Sequence, residues 1–220
     1  MNYGDYEKHL SKPRLDKYRL ACNGDEQRTL ELYMLNIELS KVFFSALSLF
    51  EVALRNAINE HYRHYFLDDN WILNQAANGF FMDPKRDAII REEKKLLASK
   101  SLSPDNLVSA LSFGSWTDMF SSYSFNKGNQ TLLKIFPNRQ KGLNRKPIYN
   151  ELNEIRSFRN SIAHHEAICF DKQGRISAFY ANAIWNLIQK YTMFLGLPPT
   201  FLQNVEQPTP SIAKLDALGT

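Results

Sequence analysis

Cysteine is almost absent from this 220-residue sequence: Cys22 and Cys169 are the only two, far apart in the chain. They form neither a disulfide scaffold nor the paired Cys/His spacing of a zinc site. Long apolar runs are missing as well. The longest, VFFSALSLF at residues 42–50, falls well short of the about 20 residues that a membrane span needs. The polar start MNYGDYEKHLSK is not that of a secretory signal, so a soluble, cytoplasmic protein is expected. There is no glycine-rich phosphate loop, nucleophile elbow or Cys–His pair, and neither a metal nor a cofactor is expected. Internal repeats and alternating strand patterns are missing too. Two absences are local. Residues 29–66 contain no Gly or Pro, and residues 119–150 contain no acid.

The stretch without Gly or Pro carries apolar residues at Leu32, Leu35, Leu39, Val42, Phe43, Ala46, Leu47, Phe50, Leu54 and Ile58. Steps of three and four predict one long helix, or two nearly collinear ones. Asn23-Gly24 is a turn, after which Asp25 is placed to cap that helix. Residues 68–85 read as a connector and 85–99 as a charged helix. LSFGSWTDMF, residues 111–120, is an aromatic cluster around Gly114. Two more helices are expected at 151–165 and 175–195, the latter stopped by Gly196 and Pro198-Pro199. The fold class is all-α: a helical bundle with a long first core helix and additional helices, its core built from the 29–66, 151–165 and 175–195 segments. A single domain over 1–200 and a loose polar tail over 201–220 are expected.

Formal net charge is +4 and the pI is about 9.0. This mild basic excess permits an anionic partner. It is concentrated in the acid-free stretch, where Lys127, Lys134, Arg139, Lys141, Arg145 and Lys146 sum to more than the charge of the whole chain. Of these, Lys134, Arg139, Lys141, Arg145 and Lys146 are candidates for contacting an RNA backbone.

The most polar part of the 151–165 helix is RNSIAHHE, residues 159–166. Asn160 and His164 are four apart and share a helix face. Arg159 and His164 are five apart, about 140° around the axis, and do not. The plain reading is that Arg159 and Asn160 tie helix ends together and His164 is an ordinary histidine. The chemical reading is RNA cleavage without metal. A histidine moves the 2′-OH proton or protonates the leaving 5′ oxygen, and an arginine fork holds the phosphate as its charge grows. A two-fold dimer would supply two of each. Glu51 and Arg55, one turn apart on the long helix, are candidates for positioning the pair, with His165 as a further supporting residue. Adjacent His164 and His165 are expected to point to different sides of a helix, which does not suit a metal.

These residues resemble a known family. RNSIAHHE is similar to the signature of the Abi-like (abortive infection) proteins of bacteria, placed in the HEPN superfamily. SKPRLDKYRLACNGDEQRTLELYMLN at 11–36, LFEVALRNAI at 49–58 and LSFGSWTDMF at 111–120 agree in order and spacing. The resemblance implies a HEPN-like helical fold, a homodimer and metal-independent endoribonuclease activity in phage defence or a toxin system. It assigns the motif arginine and histidine to Arg159 and His164, with Asn160 as the polar residue. HEPN members paired with a nucleotidyltransferase antitoxin often carry a Tyr shortly after the His; this chain has Glu166-Ala167 there, so an antitoxin or regulator is left unassigned. The alternative is a non-catalytic RNA-binding or protein-interaction module of the same fold.

Overall fold

The computed structural model describes residues 3–219. They are built from helices, with no strand among them beyond an isolated antiparallel bridge between Phe170 and Ile176. The all-α expectation is met. No helix of the described residues is long and apolar enough to cross a membrane.

The chain divides into two compact units. The first comprises Met1–Ser48, Ser157–Gln189 and Thr200–Thr220. It opens with two short helices, α1 (Tyr3–Leu10) and α2 (Lys12–Ala21). The long helix follows as α3 (Glu26–Phe66), 41 residues and about 60 Å at the α-helical rise. It is unbroken, the first of the two alternatives that its periodicity left open, and Asp25 caps it by accepting from the Arg28 N–H at 2.9 Å. Its first part packs in this unit. Phe43 meets Phe158 edge-on at 4.8 Å and Trp185 at 6.3 Å. Those two residues belong to the helices expected at 151–165 and 175–195, so the three segments do share a core. Edge-to-face rings add about 0.5–1.5 kcal/mol each beyond the area they bury.

The second unit comprises Leu49–Arg156 and Lys190–Pro199. Its core is aromatic. Phe50 lies against Phe113 and Tyr191, and Tyr62 against Trp71 at 5.1 Å. The residues read as a connector contain a helix, α4 (Trp71–Ala77), anchored by the fully buried Trp71, whose Nε1 donates to Asn59 Oδ1 at 2.8 Å. The charged helix is α5 (Asp83–Ala98). Its acids Asp83, Asp87 and Glu92 pair with Arg86, Arg91 and Lys95 of the same helix. Before LSFGSWTDMF, α6 (Pro104–Ala110) starts from a Ser103 cap; a second helix, α7 (Phe113–Thr117), starts from a Ser112 cap. Between them Leu111 is extended and buried. Helix α8 (Ser122–Lys127) follows.

Three local expectations need correction. The helix expected at 151–165 is α9 (Arg145–Ala163). It begins earlier because the Asn144 side chain accepts from the Lys146 N–H at 3.1 Å and Pro147 sits in the first turn, where its missing N–H costs nothing. The helix expected from Arg175 is α10 (Phe179–Phe194). Arg175 instead belongs to a tight turn, in which Gly174 takes φ +78° and the Asp171 carboxylate accepts from the Gln173 and Arg175 amides. Finally, 201–220 is not a loose tail. It contains α11 (Thr209–Gly219), which buries Ile212 and Leu215 and bonds Glu38 of α3 through Ser211 and Lys214, both at 2.9 Å.

Candidate active site

RNSIAHHE straddles the C-terminal end of α9. Along the helix Phe158 and Ile162 face the core, Arg159 beside them is half-buried, and Asn160 is exposed. Helix α9 ends at Ala163, so His164 and His165 lie in the turn that terminates it, and the expectation that they emerge from two sides of a helix is replaced by this geometry. His164 still donates its N–H to the Asn160 carbonyl at 2.9 Å. His165 then takes φ +57°, its N–H bonding Ile162 O at 3.0 Å while Glu166 N–H bonds Ser161 O at 2.8 Å. This paired closure around a left-handed residue is a Schellman turn. In many helices glycine fills that place, and a histidine there is uncommon. Glu166 also accepts from Ser161 Oγ at 2.7 Å, a polar clasp where such turns usually pack apolar side chains. The result is that the His164 and His165 side chains are both exposed on a closed helix end.

The loop that follows is held from two sides. Arg14 of α2 donates to the His165 carbonyl at 2.8 Å. Asn36 of α3, only 5% exposed, accepts the Ile168 N–H on its Oδ1 at 2.8 Å. Downstream, Ile168, Cys169 and Phe170 are buried. Burial pushes the Cys169 thiol up to about 12, so it is an inert core residue. The loop after His164 is therefore tied to the side chains of Arg14 on α2 and Asn36 on α3, while His164 itself is bonded to its own helix.

Beside the turn is a groove of about 440 Å³. Its polar wall is made by His9, Arg14, Asn36, Ser40 and His165, and its apolar part by Leu10, Ile37, Ile162 and the Tyr33 ring. Sequence reasoning passed over His9, Arg14, Tyr33 and Asn36, although the last three fall inside the 11–36 stretch. Nothing local marks Arg14 and Asn36, because their partners are a carbonyl and an amide more than a hundred residues away.

The remaining candidates fall elsewhere. Glu51 and Arg55 are half-buried on the part of α3 that belongs to the second unit, whereas Arg159, Asn160, His164 and His165 belong to the first. The basic stretch lies in the second unit and is not uniform. Lys127, Lys134, Lys141 and Lys146 are exposed. Arg139 and Arg145 are half-buried and spend guanidinium N–H groups on backbone, Arg139 on the Leu143 carbonyl and Arg145 on that of Phe120, the latter at 2.9 Å. The lysines are thus the groups presented to solvent, and the two arginines brace the fold.

One family model, described as Abi-like protein, matches residues 2–169. That span runs from α1 to the buried residues after the motif and stops before α10. Comparisons with curated proteins and with solved structures returned no match.

Proposed function

This chain belongs to the Abi-like protein family, and from that premise we propose that it is a metal-independent endoribonuclease of bacterial phage defence, acting as a homodimer with the HEPN-type motif Arg159–Asn160–His164 at its centre. The observation that carries the reading is the helix end itself: an exposed His164 on a turn closed by its own backbone and tied through the next residues to Arg14 and Asn36. A catalytic imidazole needs this combination of access and fixed position.

In the proposed reaction a 2′-oxygen attacks the adjacent phosphorus while its proton passes to a histidine. The P–O5′ bond breaks, and the leaving oxygen takes a proton from an imidazolium. The product is a 2′,3′-cyclic phosphate and a free 5′-OH. Arg159 stabilises the charge that grows on the phosphate, and Asn160, one turn before His164, orients it. One chain carries one such Arg–His pair, and a two-fold dimer supplies both the base and the acid. Lys134, Lys141 and Lys146 give sequence-independent contacts to RNA backbone. The competing reading, a non-catalytic RNA-binding module, draws on the half-burial of Arg159 and its wide angle from His164.

The test is cleavage of RNA by purified wild type and His164→Ala in EDTA, with product ends analysed. Loss of a positioned acid or base costs about 10²–10⁴ in rate, and loss of a charge-stabilising donor at Arg159 about 10²–10³. Arg159→Lys is expected not to rescue, because a point charge lacks the planar fork. A folded His164→Ala that cleaves at the wild-type rate rejects the catalytic reading and leaves the binding module.

A further inference from the structure

The groove beside the motif has a composition that the cleavage chemistry does not use. Its charged and polar lining consists of one guanidinium, two imidazoles, an amide and the hydroxyl-bearing Tyr33 and Ser40, with no carboxylate among the described residues that line it. Two of these groups are partly spent on the fold. Arg14 uses Nη1 on the His165 carbonyl, and a guanidinium has four further N–H groups. Asn36 uses its Oδ1 as acceptor, which commits the amide orientation and leaves both Nδ2 hydrogens as donors. The apolar lining is given by the side chains of Leu10, Ile37 and Ile162 and the Tyr33 ring. The volume, about 440 Å³, falls within the about 300–1,000 Å³ of small-molecule sites. A guanidinium and other hydrogen-bonding groups beside apolar side chains suit a ligand with an anionic and an apolar end.

The backbone adds an independent observation. One residue lining the groove, and one that adjoins a lining residue in the chain, hold conformations that favour glycine. His165, on its wall, sits at φ +57°. Ser11, which joins Leu10 to the helix carrying Arg14, sits at φ +72° and ψ 143°. Non-glycine residues held there cost of order 1–3 kcal/mol.

We infer that this groove is a nucleotide-binding subsite, which takes one nucleotide of a single-stranded RNA next to the cleavage motif: Arg14, His9 and His165 hold its phosphate, and the base lies against Leu10 and Ile37. The inference rests on the endoribonuclease reading for its ligand class. It concerns binding, and its test is independent of turnover.

The probe is fluorescein-labelled 2′-O-methyl octauridylate, which has no attacking hydroxyl and is not cut. Binding to the full chain is read by anisotropy at one salt concentration. Ile37 is 48% exposed, so Ile37→Glu places an acid in the groove without opening the core. It is expected to weaken binding about tenfold or more. The same charge at Leu97, 54% exposed in the other unit, is expected to leave it within about twofold. His165→Gly is the decisive variant. It keeps or raises thermal stability, since glycine accepts the turn, and is expected to weaken binding as Ile37→Glu does. A purely structural role for His165 would leave binding intact. Uridine monophosphate should displace the probe at concentrations where inorganic phosphate does not, and a 4-thiouridine version should photo-crosslink to peptides containing residues 9–14, 33–40 or 162–165. Wild-type binding shared by both groove variants, crosslinks confined to other peptides, equal displacement by phosphate, or no binding by the wild type overturns the subsite. Cleavage lost in His164→Ala with groove variants binding normally rejects the subsite and keeps the nuclease. Groove-dependent binding with no cleavage by wild type does the reverse.

Discussion

Replacing Asn36 tests whether the motif loop is positioned by the fold rather than by its own helix. Asn36 Oδ1 accepts the Ile168 N–H at 2.8 Å, and both residues are buried, 5% and 3% exposed. Asn36→Leu keeps the branched shape and removes the acceptor. The Ile168 amide is then left dry and unpaired, at a cost of about 1–3 kcal/mol. Asn36→Ala removes the acceptor and also leaves space beside Ile168, so it should cost at least as much. Against a total stability of about 5–15 kcal/mol for a folded domain this is a large loss. Urea denaturation measures it, and hydrogen exchange locates it: the Ile168 amide should lose protection in both variants before the rest of α9 does. In cleavage assays both variants should lower kcat more than they raise KM, because the loop that fixes His164 becomes mobile while the groove cation Arg14 stays. If both lie within about 0.5 kcal/mol of wild type with Ile168 protection unchanged, the bond does not hold the loop and the positioning argument fails.

Four further outcomes are expected. The Glu38 carboxyl is held below its ordinary value of 4.5 by hydrogen bonds from Lys214 and then Ser211; a depressed carboxyl stabilises above its unfolded value and loses that contribution as pH falls through the folded one, so amide protection of α11 should drop below pH 4.5 in wild type but not in Glu38→Ala, and flat protection down to about pH 3 refutes it. Leu215 is fully buried on α11, and Leu215→Ala should cost about 2–5 kcal/mol in denaturation; a neutral result would show the C-terminal helix to be unpacked. With its thiol pushed up to about 12, Cys169 should resist iodoacetamide at about pH 8 until the protein is unfolded, and ready labelling of the folded chain contradicts its burial. Lys134→Glu with Lys141→Glu should weaken RNA binding and flatten the slope of log K against log salt by about 0.7 for each lysine–phosphate pair removed from a single strand; an unchanged slope removes this surface from the RNA path.

Much of the architecture is carried by local physics. The freedom of residues 29–66 from Gly and Pro, together with apolar steps of three and four, is sufficient for the 41-residue α3. Asp25 and Ser103 act as the caps their chemistry suits them to be. Other signals are equally local but masked by their surroundings. Asn144 and Pro147 mark the true start of α9, and Pro210 with Ile212 and Leu215 marks α11, yet both lie in segments whose polar or basic composition suggests loops.

The sequence by itself determined the helical class and the long helical segment of the core, because periodicity and capping are properties of residues close together in the chain. Only the tertiary structure decided that His165 closes α9 in a left-handed turn, that Arg139 and Arg145 each place a guanidinium N–H on a backbone carbonyl, and that Arg14 and Asn36 hold the loop behind His164. Those bonds join side chains to backbone groups, which every residue possesses, across separations of up to 151 positions. A side chain whose partner is a bare C=O or N–H leaves no matching residue type in the sequence to find, so its role exists only once the chain has folded.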